Sequence, residues 1–163
     1  MAAFGFTIIL LNKEADMGKS TIIITADLGH FRAYRVSRTP LGSAKLSLIE
    51  GYDSLEGHGK LGDKLSDQAG RFSRKDGLSK SKGYGEPHNI ELEMEKRMIK
   101  LIARDIDTII AKGPCDVWYF AAPAEINGRI VEQIRRDVKS RMGKSITVNL
   151  TGTKKSDIMG YFE

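Results

Sequence analysis

Residues 57–88 read GHGKLGDKLSDQAGRFSRKDGLSKSKGYGEPH, a basic run rich in glycine and serine and poor in apolar side chains. Such a stretch offers too little apolar surface to offset the entropy of ordering it, so it cannot supply a core. The fold has to be built from what lies on either side. Structureless connections beyond about 12–15 residues are uncommon in compact domains unless they are functional or disordered. This segment is therefore the first candidate for a contact surface. The plainer reading is a solvated linker, mobile until something binds it.

Its charge favours the first of these. Lys60, Lys64, Arg71, Arg74, Lys75, Lys80 and Lys82 face only Asp63, Asp67, Asp76 and Glu86, a surplus of three in a chain whose net charge is +5. Basic charge on a mobile segment suits a polyanion, chiefly nucleic acid or an acidic surface. Phe72 and Tyr84 are its aromatic anchors, suited equally to stacking on a base or filling a protein pocket.

On the N-terminal side, Thr21–Ala26 is a β-branched run that reads as a buried strand. Asp27-Leu28-Gly29 reads as a turn. The alternation from His30 to Val36 predicts a second strand, and Leu46–Ile49 a third after the Pro40-Leu41-Gly42 turn. Tight connections make this an antiparallel meander.

On the other side, Ile90, Met94, Met98, Leu101, Ile102, Ile106, Ile109 and Ile110 recur at spacings of three and four. They predict a helix over 89–112, about 36 Å long, with Asn89 as N-cap and Gly113-Pro114 as its end. Asp116–Ala122 reads as a buried strand and Pro123 as a helix start. Ile126, Ile130, Ile134 and Val138 extend one apolar stripe along that helix. Gly128 inside it costs about 1 kcal/mol relative to alanine, which close packing or backbone approach would explain. Ser145–Leu150 reads as the last strand. Ser156–Phe162 reads as a closing helix held by Ile158, Tyr161 and Phe162.

The predicted order is β-β-β-α-β-α-β-α, a mixed sheet with helices on its faces, as in the ribonuclease-H-like architecture. The chain of 163 residues suits one domain, here 17–163. Residues 1–16 are read as an appendage, or as an extra edge strand from Phe6 to Leu11. The run Phe4–Leu11 is too short to span a membrane and lacks the preceding positive charge of a signal peptide. A cytoplasmic protein with no membrane partner is expected. The single cysteine, Cys115, excludes an internal disulfide and fits a reducing compartment. His30, His58 and His88 are too scattered for a zinc site, and no metal or cofactor is expected.

Gly18-Lys19-Ser20 resembles the end of a phosphate-binding loop. That motif needs a glycine at position 13, where this chain has Lys13, and a helix where this chain has a strand. No G-x-S-x-G elbow is present either. Asp27, at the end of the first strand, carries the alternative enzymatic reading. A two-metal nuclease needs carboxylates converging on its metals. Asp27, Glu91 or Glu95 on one face of the long helix, Glu125 and Asp157 are the candidates. Asp27 is equally well explained as a turn-former, and Glu125 as an acid in a first helical turn.

Four segments, ITADLGHFRAYRV (24–36), KLSDQAGRF (64–72), YFAAPAEINGRI (119–130) and ITVNLTGTKKSDI (146–158), together resemble the bacterial family of proteins required for attachment to host cells. That family is related to the middle domain of archaeal and eukaryotic class-one peptide-chain release factors. The matching positions include Ala26-Asp27, Arg32-Ala33, Ser66-Asp67, Gly70-Arg71, Ala122-Pro123, Gly128 and Leu150-Thr151. The chain departs at Asn127, where the family usually has an apolar residue, and at Gln68-Ala69. Release factors carry a Gly-Gly-Gln tripeptide in the corresponding loop. This chain has none, and without those glycines the backbone is not expected to approach a peptidyl-transferase centre.

The resemblance and the charge together imply a non-enzymatic binding protein that docks on RNA, a ribosome or tRNA surface, through Ser66, Asp67, Gly70, Arg71, Phe72, Arg74 and Lys75. The alternatives are a metal-dependent nuclease built on Asp27, and an interaction module whose loop folds on a protein partner. A role in host attachment is then expected to be indirect. The oligomeric state has no signature in the sequence.

Overall fold

A computed structural model describes residues 20–53 and 86–163. The appendage 1–16 and the body of the basic segment lie outside these described residues. Strands β1 (Thr21–Ala26), β2 (His30–Arg38) and β3 (Ala44–Asp53) form the expected antiparallel meander. Helix α1 (Glu86–Lys112) crosses over to β4 (Val117–Ala121). Helices α2 (Ala124–Gln133) and α3 (Arg136–Lys139) lead to β5 (Met142–Ile146). A short α4 (Lys155–Ile158) and a 3-10 turn (Met159–Tyr161) close the chain. The five strands form one mixed sheet in the order β3-β2-β1-β4-β5, with β4 parallel to β1 and β5 parallel to β4.

β1 lies at the centre of the sheet and is apolar on both sides. Ile22, Ile24 and Ala26 point to one face with Phe31, Ala33, Trp118 and Phe120, where Ile102, Ile106, Ile110, Ile126 and Ile130 cover them. Ile23 points to the other face with Tyr34, Leu46 and Ala121, beneath Leu150, Ile158 and Phe162 of the C-terminal segment. Phe162 stacks on Tyr119 at 5.4 Å, and Lys144 Nζ donates to the carbonyl of Tyr161 at 3.3 Å, tying that segment down. Each fully buried isoleucine contributes about 1.5–3 kcal/mol. Cys115 is buried, and its thiol is pushed up by that burial. Among the described residues no helix is long and apolar enough to cross a membrane.

Several boundaries differ from the sequence reading. β3 runs from Ala44 to Asp53, longer than Leu46–Ile49. Its extra length carries an irregular register opposite Ala33 and Tyr34, which breaks the simple alternation. α1 begins at Glu86, so Asn89 lies inside it and not at its cap. Pro87 is tolerated there because the first four N–H groups of a helix have no partner within it. At 27 residues α1 is about 40 Å long, twice the roughly 20 Å of the six-residue β1. Its first turns overhang the sheet, which leaves Ile90 exposed. Leu101 also faces solvent, while Ile99 and Ala103 are buried in the core.

The last strand is Met142–Ile146, not Ser145–Leu150. Leu150 is buried, but as part of the cover over the second face. The stripe from Ile126 to Val138 is buried throughout, yet it is not one helix. Ile134 turns extended (ψ 140°) and α3 resumes the path. Of the closing residues Ile158 and Phe162 pack inward, while Tyr161 is exposed. A methyl added at Gly128 would meet nothing within 4 Å, so close packing does not account for that glycine.

Candidate functional site

The turn between β1 and β2 is organised by Asp27. Its Oδ1 accepts the backbone N–H groups of Gly29 at 2.7 Å and His30 at 2.6 Å. An aspartate at this position mimics a backbone turn and fixes the two residues that follow. His30 Nδ1 lies 3.0 Å from Oδ1 and 3.2 Å from Oδ2 of the same carboxylate. The other oxygen, Oδ2, reaches the C-terminal segment. Asn149 Nδ2 donates to it at 3.1 Å, and the Thr151 hydroxyl lies 2.7 Å away. That hydroxyl is also 2.7 Å from Asn149 Oδ1, which in turn accepts Thr151 N–H at 3.0 Å. The charged carboxylate is the stronger acceptor of the two.

Burial pushes the Asp27 carboxyl up, but the hydrogen bonds from Thr151, Gly29, Asn149 and His30 together outweigh it and hold the group below its usual range. Asp27 is thus an ionised carboxylate whose acceptor positions are occupied by donors of this chain.

Beside this turn is a cavity of about 470 Å³, within the size range of small-ligand pockets. Asp27, Leu28, Gly29 and His30 line it from the turn, Glu95 from α1, and Pro123, Glu125 and Ile126 from the start of α2. It lies at the carboxyl ends of the parallel strands β1 and β4, where open α/β sheets commonly bind ligands. Glu95 pairs with Arg129 of α2. Glu125 has no side-chain partner among the described residues.

Of the proposed carboxylates, the structure therefore brings together Asp27, Glu95 and Glu125. Glu91 sits exposed on the overhanging part of α1 and does not line the cavity, although it shares a helical face with Glu95. Asp157 lies on α4, where its Oδ1 accepts the Ser156 hydroxyl at 3.0 Å. Among the described residues no group of three His, Cys, Asp or Glu side chains is placed to hold a metal ion. A metal on Asp27 would have to displace the turn's own hydrogen bonds.

Among the described residues singled out by resemblance, Asp27, Arg32, Pro123 and Thr151 fall at this same end of the sheet. Pro123 precedes α2, and its carbonyl accepts the N–H groups of Ile126 and Asn127 at 3.1 and 2.9 Å. Arg32 Nη1 donates to the carbonyls of Phe31 and Tyr52, both at 2.8 Å, and its Nη2 pairs with Asp53 at 2.7 Å. A methyl on Gly51 would stand 2.8 Å from Arg32 Cδ, so the glycine makes room for this clamp. Gly128 lies away from it in α2. Ser66, Asp67, Gly70, Arg71, Phe72, Arg74 and Lys75 lie outside the described residues.

His30, Asn149 and Asn127 are the participants that the sequence reading missed. The spacing of Asp27 and His30 across a tight turn was the available signal for the first. Asn127 is buried, donates to the Ile146 carbonyl at 2.9 Å and accepts the Ser145 hydroxyl at 3.0 Å. It pins α2 to the edge strand β5, a task an apolar residue cannot perform.

A family model described as "Protein required for attachment to host cells" matches residues 22–162. No curated protein matches the chain. One solved structure, named only as an archaeal protein, is 11% identical with a TM-score of 0.44. The match covers 94% of this chain and 37% of that one, so this chain spans little more than a third of that protein's length.

Proposed function

This chain belongs to the family described as "Protein required for attachment to host cells", and from that premise we propose that it is a non-enzymatic binding protein that docks on RNA through its basic segment. A ribosomal or tRNA surface is the specific target. The observation that carries this reading is where the segment is anchored. It leaves β3 after Asp53, which is in register with His30 and gripped by Arg32. It rejoins the fold at the first turn of α1, at the same end of the sheet. The two described ends of the segment therefore lie at the edge that carries Asp27, and its sequence holds a surplus of three positive charges. The relation of that family to release-factor middle domains, which the resemblance implies, supports a translational RNA as the polyanion. The occupied carboxylate of Asp27 favours a structural role for that residue over metal-dependent cleavage.

Binding to a labelled RNA across a salt series tests the proposal. Affinity should fall steeply with salt, and the Arg71→Ala/Arg74→Ala/Lys75→Ala variant should flatten the slope of log K against log salt by about two units. Salt-insensitive binding, or none, would overturn it.

A further inference from the structure

We propose that β3 pairs with β3 of a second copy of this chain, antiparallel about a two-fold axis at Ser47, joining two five-stranded sheets into one. The pairing uses the turn end of β3, away from Asp53, where the basic segment leaves the fold. It stands or falls independently of RNA binding.

β3 is an edge strand of ten residues, twice the length of β5 at the other edge. The ladder shows which of its backbone groups face outward. Thr39 N–H donates to the Ser43 carbonyl at 2.8 Å, and antiparallel strands exchange bonds at alternate residues. In the register Ser37–Lys45 and Arg35–Ser47, it is Lys45 and Ser47 that bond to β2. The β1 side agrees: Asp27 N–H donates to the His30 carbonyl at 2.9 Å, so even-numbered residues of β2 bond to β1 and odd-numbered ones to β3. The N–H and C=O groups of Leu46 and Leu48 therefore point away from the sheet. A two-fold axis at Ser47 sets Leu46 opposite Leu48 of the second copy on both sides, and each such pair exchanges two hydrogen bonds. The side chains fit the same register. Leu46 packs beside Tyr34 on the second face, and Leu48, in register with Tyr34, shares that face but is 50% exposed. Pairing lays it against Leu46 of the second copy and carries the second-face core across the axis. Lys45, paired with Ser37, and Glu50, paired with Ala33, share the opposite face. Neither has an ion-pair partner among the described residues. Lys45 comes opposite Ile49 of the second copy, one position from its Glu50, and symmetry makes this favourable charge pair twice. Ile49 is the extra residue of the irregular register, so the outward alternation reverses beyond it and the pairing cannot slide toward Asp53. A two-fold contact uses the same edge of both copies, which closes the assembly at a dimer.

Two measurements on the full chain test this. The first is oxidative cross-linking of Ser47→Cys. At the axis Ser47 faces its own copy in a non-hydrogen-bonded pair, with Cα atoms about 4.5 Å apart, within the span of a disulfide. A disulfide-linked dimer should form far faster than with Ser37→Cys, which lies exposed one strand inward, or with the wild-type chain, whose Cys115 is buried. The second is sedimentation equilibrium, with circular dichroism reporting the fold of each variant. Leu48→Pro removes an N–H that faces outward, so it spares the β2 ladder while deleting bonds to the second copy, and dimerisation should weaken at least about tenfold. Lys45→Glu and Glu50→Lys should each weaken it, and the double variant should restore it. A dimer that cross-links at Ser47 and responds to these changes supports the proposal. Cross-linking no faster at Ser47 than at Ser37, or a dimer indifferent to Leu48→Pro and to the charge exchange, would overturn it. So would a monomer at every concentration, including one whose Leu46 and Leu48 amides are protected from exchange because Phe6–Leu11 of the same chain takes the edge.

Discussion

Thr151 places its hydroxyl 2.7 Å from Oδ2 of Asp27 across a sequence separation of 124 residues. The aspartate thereby joins two structures that share no strand pairing. One oxygen shapes the β1–β2 turn, and the other holds the segment that covers the second face of the sheet. A residue readable as a simple turn-former is a clasp between the beginning and the end of the fold.

Thr151→Val keeps the side-chain shape and removes the donor. Hydrogen bonds to charged groups contribute about 1.5–3 kcal/mol, so urea denaturation should show a loss of roughly 2 kcal/mol. Asp27→Asn should also destabilise, and the double variant should lose less than the two singles added together, with a coupling of about 0.5–3 kcal/mol. Strict additivity would mean that the contact contributes nothing.

The same carboxylate sets a pH dependence. Its folded pKa lies below that of the unfolded chain, because the hydrogen bonds from Thr151, Gly29, Asn149 and His30 outweigh the upward push of burial. Its stabilising contribution is therefore complete above the unfolded value of about 3.9 and is lost as pH falls through the lower, folded value. Stability measured from pH 6 downward should decline through the acid range. Asp27→Asn should flatten that decline while lowering stability at pH 6.

Two glycines should respond in opposite directions to alanine. At Gly143 the added methyl would stand 2.7 Å from both the Tyr119 ring and Val117 Cγ2, an overpacking that costs about 1–3 kcal/mol. At Gly128 it would meet nothing within 4 Å inside a helix, so Gly128→Ala should stabilise by about 0.5–1 kcal/mol. Thermal unfolding of the two variants reads both signs.

Thr25 is fully buried, and its hydroxyl has no hydrogen-bond partner among the described residues. Thr25→Val replaces it with a methyl of similar size. Relieving a buried unpaired hydroxyl should raise stability by about 1 kcal/mol, measurable by urea denaturation.

The legible parts of the fold are those where burial is two-sided or strictly periodic. The run Ile22-Ile23-Ile24 announces a central strand, and Ile102, Ile106 and Ile110 a packed helix. The edge strand β5 was misplaced because Met142–Ile146 contains no fully buried residue and pairs on one side only, which leaves no apolar signature. The neighbouring Val148 and Leu150 carry the stronger apolar signal, yet Val148 is exposed and Leu150 packs as a cover. For the site, Asp27, Glu95 and Glu125 were named from composition and position. What brings them together is the overhang of α1 and the crossing of α2. Contacts such as Asp27 with Thr151, or Asn127 with β5, depend on tertiary placement that no local spacing encodes.

Co-sedimentation of the purified protein with ribosomes across a salt series tests the central claim most directly, beside the variant with Arg71, Arg74 and Lys75 changed to alanine. The account predicts that the protein pellets with ribosomes at low salt, is released as salt rises, and fails to pellet in the variant. Absence of the protein from the ribosome pellet at low salt, or pelleting that neither salt nor the triple substitution alters, would contradict it.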